Sequence, residues 1–355
     1  MRIALLSTFE EPVPPKMYGG TERIVYTLAE EWVRMGHDVT LFASGDSQTS
    51  ANLVPCTPRA IRTLREARNP TTRQALNLDA LANALQYIRE GTFDIIHNHF
   101  GWQTLLFNAF LDLPMVTTLH GTLDKSIVPT EHKMHNYFRW APFVSISNSQ
   151  RRHSPKLNYV ATIYHGINAE EFTFNDKPED YLLFLGRIHP QKGPVHAIKV
   201  AKATGQKLLI AAKTDPAEFG YLRNRVRPLI DNKQIIWIGE VGHEEKVKLL
   251  KNARALLSPL QWDEPFGIVN LEAMACGTPV ITVRRGSMPE IIEDSKTGFL
   301  CRNLAELRAA VDKINTIDRR ACRQHVEQHF TARKMAAGYI KAFEKVLKKR
   351  QVRMR

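Results

Sequence analysis

The chain alternates between short apolar runs and longer stretches in which apolar positions recur every three or four residues. Residues 2–8 form an apolar run of strand length. After a loop carrying Pro12, Pro14 and Pro15, Ile24, Leu28 and Trp32 recur on one face of a helix that reaches Arg34, the spacing of an amphipathic helix. Gly36 ends that helix, and residues 37–43 read as the next strand. Strand, helix and strand in this order make the βαβ unit of a parallel sheet. Further strands are predicted at residues 93–99, 115–120, 143–147 and 159–164. Residues 165–180 turn polar and read as a linker. The pattern restarts at residues 181–185, a nearly all-apolar run of the kind buried on both faces of a parallel sheet. It continues at 208–212, 235–238, 255–258 and 280–283. A last helix over residues 334–349 carries Met335, Tyr339, Phe343 and Val346 on one side. The pattern therefore predicts an α/β protein of two domains, residues 1–167 and 168–333, followed by a helix and basic tail over 334–355.

Composition agrees with this division. A chain of 355 residues exceeds one ordinary core. Hydrophobic content of 43% and charged content of 24% are globular values. No run of about 18 apolar residues predicts a membrane span. Glu10 and Glu11 follow the first strand at once, so the N-terminus does not read as a secretory signal. Cys56, Cys276, Cys301 and Cys322 lack paired metal-ligand spacing and read as reduced thiols, which predicts a cytoplasmic protein. The formal net charge of +13 points to an anionic partner. Two clusters contribute: Arg59, Arg62, Arg65, Arg68 and Arg73, and the tail residues Lys348, Lys349, Arg350, Arg353 and Arg355. Aromatic residues are too sparse among them for nucleic acid. Two readings stay open: a nucleotide pocket among ordinary surface cations, or an anionic or lipid-linked acceptor with peripheral contact at the inner membrane face.

The chemistry concentrates in Glu264-Pro265-Phe266-Gly267-Ile268-Val269-Asn270-Leu271-Glu272, which runs on into Ala273-Met274-Ala275-Cys276-Gly277-Thr278-Pro279. Residues 268–275 read as a short apolar helix, and Pro265 is expected in the first helical turn, where its missing N–H costs nothing. Gly267 lets a ligand approach the backbone, and Gly277 and Pro279 stop the helix. Amides near Gly267 and Ile268 then face a space that suits phosphate. Counted as largely helical, the eight-residue step puts Glu264 and Glu272 roughly 8–12 Å apart. Retaining glycosidases need about 5–5.5 Å between their carboxylates, so the pair suits substrate binding. Upstream, Gly186-Arg187-Ile188-His189-Pro190-Gln191-Lys192-Gly193 follows directly on a strand. Arg187 can fork two phosphate oxygens and Lys192 supplies a compact charge. Gly19 and Gly20 open a helix, either as plain capping or as amides for an anion. They do not form the G-x-G-x-x-G dinucleotide fingerprint. His97 and His99 alternate on one strand face; with no Cys or Asp cluster beside them, they read as lining a substrate side rather than binding a metal.

The segments around Glu264 and Arg187 together resemble the signature of retaining, nucleotide-sugar-dependent glycosyltransferases of family four, the glycogen-synthase-like group with the GT-B fold. The resemblance covers nearly the whole chain. It implies two Rossmann-like domains with parallel sheets facing a central cleft, and a C-terminal helix crossing back to the first domain. It implies that Arg187 and Lys192 clamp the diphosphate, that Glu264 holds donor-sugar hydroxyls, and that Glu272 binds the ribose diol. It places His120 against the donor sugar, His99 on the acceptor side, and Gly19, Gly20, Phe266, Gly267 and Ile268 around the substrates. Trp237-Ile238-Gly239-Glu240-Val241 resembles the segment holding the nucleotide base, with Glu240 and Val241 in contact. Gly286-Ser287-Met288-Pro289-Glu290 resembles the loop under the donor, with Arg284 and Arg285 as less typical neighbours. Ser147-Asn148-Ser149-Gln150-Arg151-Arg152 resembles a segment at the cleft rim. The implied activity is sugar transfer from a nucleotide diphosphate sugar, UDP-linked by default, to a hydroxyl acceptor, with no metal or other cofactor. A GT-B phosphorylase or nucleotide-sugar epimerase uses the same cleft and stays as the alternative.

Overall fold

The computed structural model describes residues 1–17 and 19–354, and side chains to residue 350. The chain forms two compact units: Met1–Gly166 together with Ala332–Arg355, and Ile167–Thr331.

The first unit is built on a seven-stranded parallel sheet. Its strands are β1 (Arg2–Leu6), β2 (Asp38–Ser44), β3 (Asn52–Thr57), β4 (Ile95–Asn98), β5 (Met115–Leu119), β6 (Phe143–Ser145) and β7 (Tyr159–Thr162). They lie in the order β3-β2-β1-β4-β5-β6-β7. Ile3 pairs with Val39 on one side and Ile95 on the other, so β1 is central. Ile3, Ala4, Leu5 and Leu6 are fully buried, which is why this strand reads as continuous apolar sequence rather than alternating. The helix Gly20–Arg34 turns Ile24, Val25, Leu28, Ala29 and Trp32 inward. Trp32 donates its indole N–H to the Ala336 carbonyl at 3.1 Å. That carbonyl belongs to the helix Ala332–Met354, whose Met335, Tyr339, Phe343 and Val346 are buried.

The second unit carries a six-stranded parallel sheet: β8 (Leu182–Arg187), β9 (Leu208–Lys213), β10 (Ile235–Gly239), β11 (Ala255–Ser258), β12 (Val280–Val283) and β13 (Gly298–Cys301). Their order is β10-β9-β8-β11-β12-β13. In both sheets the first strand is central and the order reverses beside it, between β1 and β4 and between β8 and β11. Open α/β sheets bind ligands outside the carboxyl ends of their strands at such a reversal.

Several predicted elements shift. Most strands are shorter or displaced by one or two residues. β3 and β13 and the helix Pro70–Glu90 were not predicted. Pro55 lies inside β3, at the sheet edge where a missing amide hydrogen is tolerated. The helix after Glu264 spans Ile268–Ala275, the bounds its apolar run predicts, and the residues before Ile268 are not helical. Pro265 is therefore in the loop, not the first turn. Gly267 precedes the helix with a left-handed φ of 81°.

Candidate active site

The strand-order reversal of the second unit gathers the predicted charged residues. Arg187 ends β8, and Lys192 closes the short turn Pro190–Lys192 that follows. His189 caps that turn, its Nδ1 accepting from the Gln191 amide at 3.1 Å. Gly193 follows with φ 75°, and a Cβ there would overlap the Pro259 carbonyl, so only glycine fits. This sharp turn aims Lys192 across to the loop after β11. Its Nζ donates to Glu264 Oε2 at 2.5 Å, and the Trp262 indole N–H donates to the same oxygen at 3.0 Å. Glu264 is 8% exposed, and its Oε1 takes no hydrogen bond among the described residues. Arg187 has a loose ion pair, Nη1 to Asp215 Oδ2 at 3.5 Å. Its Nε is buried without a hydrogen-bond partner among the described residues.

Glu272 lies one turn inside the helix Ile268–Ala275 and is 3% exposed. Lys246, from the helix His243–Asn252, donates to its Oε1 at 2.5 Å. The other carboxylate oxygen accepts nothing from the described residues. The two glutamates thus share one arrangement: each pairs with a lysine from another element and has one oxygen without a hydrogen bond among the described residues. Only five residues from Ile268 to Glu272 are helical, so the expectation of a largely helical step between the glutamates is corrected. Phe266 is buried against Phe330, with ring centroids 6.4 Å apart. Ser287 props the segment: its Oγ donates to the Glu264 and Phe266 carbonyls at 3.0 and 2.9 Å. Gly286, with φ 59°, sits where a Cβ would overlap the Glu264 backbone. Glu240 and Val241 follow β10 at the same sheet edge and lead into the helix that carries Lys246. Arg284 and Arg285 pair with Asp294 at 2.5 Å and Asp263 at 3.5 Å.

In the first unit the histidines meet at the strand-order reversal. His97 lies in β4, His99 just beyond it, and His120 just beyond β5. His99 Nε2 is 3.0 Å from His97 Nδ1, and His99 Nδ1 is 2.6 Å from His120 Nε2. His165 stacks on His120 with centroids 5.3 Å apart. Burial pushes His120 down to about 4 and holds His97, His99 and His165 well below the ordinary histidine value. Gly19 precedes the helix Gly20–Arg34 and is packed so tightly that a Cβ would meet the Pro15 ring at 2.6 Å. A Cβ on Gly20 would meet nothing. Gln150, from the predicted rim segment, is buried and donates to the Leu119 and Gly121 carbonyls at 2.7 Å each, fixing the backbone around His120. Among the described residues no group of three His, Cys, Asp or Glu side chains is arranged to hold a metal ion.

Sequence reasoning missed Lys246, Trp262 and Tyr339. Lys246 sits in a helix whose other lysines look the same in sequence. The Trp262 clue was its place two residues before Glu264.

Residues 18–171 match the model described as Glycosyltransferase Family 4, and residues 168–329 the model described as Glycosyl transferases group 1. An uncharacterized glycosyltransferase of Methanocaldococcus jannaschii is 28% identical over 84% of this chain and 84% of that protein. A Mycobacterium tuberculosis protein named glycogen synthase is 26% identical over 88% of this chain and 86% of its own length. The Anabaena protein HepE, solved in complex with UDP and glucose, superposes with a TM-score of 0.73 at 18% identity, covering 97% of this chain and all of that one. With two parallel-sheet units and family matches that run from residue 18 to residue 329, the chain belongs to the family four, group 1 glycosyltransferases of GT-B fold.

Proposed function

We propose that this glycosyltransferase moves a sugar from a nucleotide diphosphate sugar, UDP-linked by default, to a hydroxyl acceptor with retention of anomeric configuration. The observation that carries this reading is the buried Arg187 Nε, without a hydrogen-bond partner among the described residues, beside the Lys192–Glu264 pair at the strand-order reversal. A diphosphate leaving group gains negative charge as the bond to the sugar breaks. A guanidinium and an ammonium aimed at it stabilise the transition state more than the ground state. Amides at the start of the helix Ile268–Ala275 add to this. These groups do the work that a divalent ion does elsewhere, so no metal is required. The spare oxygen of Glu264 accepts from a sugar hydroxyl and that of Glu272 from the ribose diol, with Glu240 and Val241 beside the base. The bond from the anomeric carbon to phosphate breaks as the bond to the acceptor oxygen forms on the same face. The acceptor's proton passes to the departing phosphate oxygen. In the first unit, His120 meets a substrate hydroxyl.

The relatives' names support donor and activity: one is a glycogen synthase, and HepE was solved with UDP and glucose. The acceptor is a hydroxyl compound, anionic or lipid-linked by the charge of the chain. Arg62 and Arg73 are paired with Glu11 and Glu10 at 3.1 and 2.6 Å, which leaves the exposed Arg59, Arg65 and Arg68 of that cluster for such contact. Arg355 and the side chain of Arg353 lie outside the described residues. Among the described residues no helix is long and apolar enough to cross a membrane; we place the enzyme in the cytoplasm, at most peripheral to the inner face.

Calorimetric titration with UDP beside single-turnover rates tests the assignment. Glu272→Ala should weaken UDP by about ten- to a hundredfold, the worth of a charged hydrogen-bond pair. Glu264→Ala should bind UDP as the unaltered chain does and lose turnover. The reverse pattern would show the donor lies the other way round. Activity should also survive excess EDTA; loss restored by a divalent ion would overturn the metal-free reading.

A further inference from the structure

We propose that a buried chain of hydrogen bonds from Tyr339 through Thr118, His97 and His99 fixes the tautomer of His120, so that His120 presents a bare Nδ1, an acceptor, and no N–H. The direction of the chain is set at Thr118. Its hydroxyl carries one proton, and this proton goes to Tyr339 Oη at 3.0 Å. Thr118 Oγ1 also lies 2.8 Å from His97 Nε2. Its proton is already engaged, so it accepts there, and His97 must hold its proton on Nε2. A neutral imidazole has one donor and one acceptor nitrogen. His97 Nδ1 is therefore bare and accepts from His99 Nε2 at 3.0 Å. By the same step His99 Nδ1 is bare and accepts from His120 Nε2 at 2.6 Å. His120 Nδ1 is left without a proton at the end of the chain, and it takes no hydrogen bond from the described residues.

This order of donors requires neutral rings, and the surroundings enforce neutrality. His97 is packed among the rings of Trp32, Tyr339 and Phe343, with centroids 5.5, 4.6 and 5.1 Å away. His97 and His99 are 0% and 3% exposed. No carboxylate bonds to His97, His99 or His120 among the described residues. A cation there would be buried unpaired. His97, His99, Thr118 and Tyr339 are thus positioning residues for His120. An acceptor nitrogen welcomes a hydroxyl hydrogen and repels a phosphate or carbonyl oxygen, so His120 selects for a hydroxyl partner. That consequence rests on the reading that His120 meets substrate; the tautomer does not.

Two-bond proton–nitrogen correlation on protein with 15N-labelled histidine rings reads the tautomers directly. The unaltered chain should show Nε2 protonated and Nδ1 bare in His97, His99 and His120. Tyr339→Phe removes the oxygen that holds the Thr118 proton and keeps the ring. The Thr118 hydroxyl should then turn to His97 Nε2, the chain should invert, and His120 should show a protonated Nδ1. Thr118→Ser should keep the original pattern. Protonated Nδ1 on His120 in the unaltered chain, or an unchanged pattern in Tyr339→Phe, overturns the proposal. If Tyr339→Phe does not fold, Thr118→Val serves: without an acceptor for His97 Nε2–H, a protonated Nδ1 population on His120 should appear, and an unchanged pattern again overturns it. His120→Ala separates the functional reading: unchanged kcat and KM would remove His120 from the substrate site and leave the tautomer result standing.

Discussion

Arg187 and Lys246 are both cations at the second unit's sheet edge, yet removing them should have different effects. Among the described residues Arg187 makes one loose ion pair and has a buried donor without a partner. Arg187→Ala should therefore cost little stability but about 2–4 kcal/mol of transition-state stabilisation, the scale of a lost oxyanion donor. Single-turnover rates check it; normal turnover would remove Arg187 from the phosphate clamp. Lys246 instead neutralises a carboxylate that is 3% exposed. Lys246→Met strands that charge, and losing one partner of a buried pair costs about 3–5 kcal/mol. A urea midpoint equal to that of the unaltered chain would mean that Glu272 is solvated and that its ribose role lacks a held anchor. The difference between these residues also marks what could be read from sequence. Arg187 was legible because a strand and a glycine turn frame it. Lys246 was not, because its partner is a helix away and its neighbours are the same residue type. The three histidines were each visible, but their linkage depends on sheet register and on Tyr339, 219 residues beyond His120.

At the scale of elements, the central strands were legible and the peripheral pieces were not. β11 and β12 fall where the apolar runs place them, because strands buried on both faces are written as continuous apolar sequence. The helix Pro70–Glu90 was missed because only Ala80, Leu81, Ala84, Leu85 and Ile88 of its 21 residues are buried, all in its second half. Its start is nonetheless signalled: Asn69 caps the Thr71 and Thr72 amides at 2.9 and 3.1 Å, ahead of Pro70 in the first turn. The helix Ala332–Met354 is held through rings. Phe343 is fully buried, 5.5 Å from Trp32 and 6.1 Å from Tyr339. Phe343→Ala should cost about 3–5 kcal/mol, the usual range for a buried aromatic. A loss under 1 kcal/mol by chemical denaturation would show that this helix is not part of the first unit's cooperative core.

For the whole molecule, the histidines predict how the two units respond to acid. His97, His99, His120, His135 and His165 in the first unit are all pushed below their ordinary value by burial, His120 and His135 to about 4. When the folded value is below the unfolded one, the unfolded chain binds the extra protons. Stability is then full above about pH 6.5 and falls as the pH drops toward 4. For His120 and His135 a shift of that size is worth about 3 kcal/mol each. In the second unit, the lowered His189, His196 and His325 are only part-buried. Hydrogen-exchange mass spectrometry at stepped pH should see peptides from 1–166 lose protection at higher pH than those from 167–331. Simultaneous loss, or the opposite order, would contradict the burial of these rings.

The placement of the last helix governs how the chain is made. The helix Ala332–Met354 belongs to the unit that begins at Met1, so the second unit is spliced into the first. Its two ends are stitched to each other: Ile167 bridges Thr331, and its amide donates to the Phe330 carbonyl at 2.9 Å. On the ribosome, residues 167–331 can therefore close their fold as soon as they emerge. Residues 1–166 have a sheet long before that, but Trp32 and Tyr339 meet only after the whole second unit has been made. Residues 1–166 are thus made before the second unit and finish after it, and they wait with an apolar helix face uncovered. A fragment of residues 167–331 should melt cooperatively alone, whereas a fragment of residues 1–166 should aggregate unless the terminal helix is supplied as a peptide.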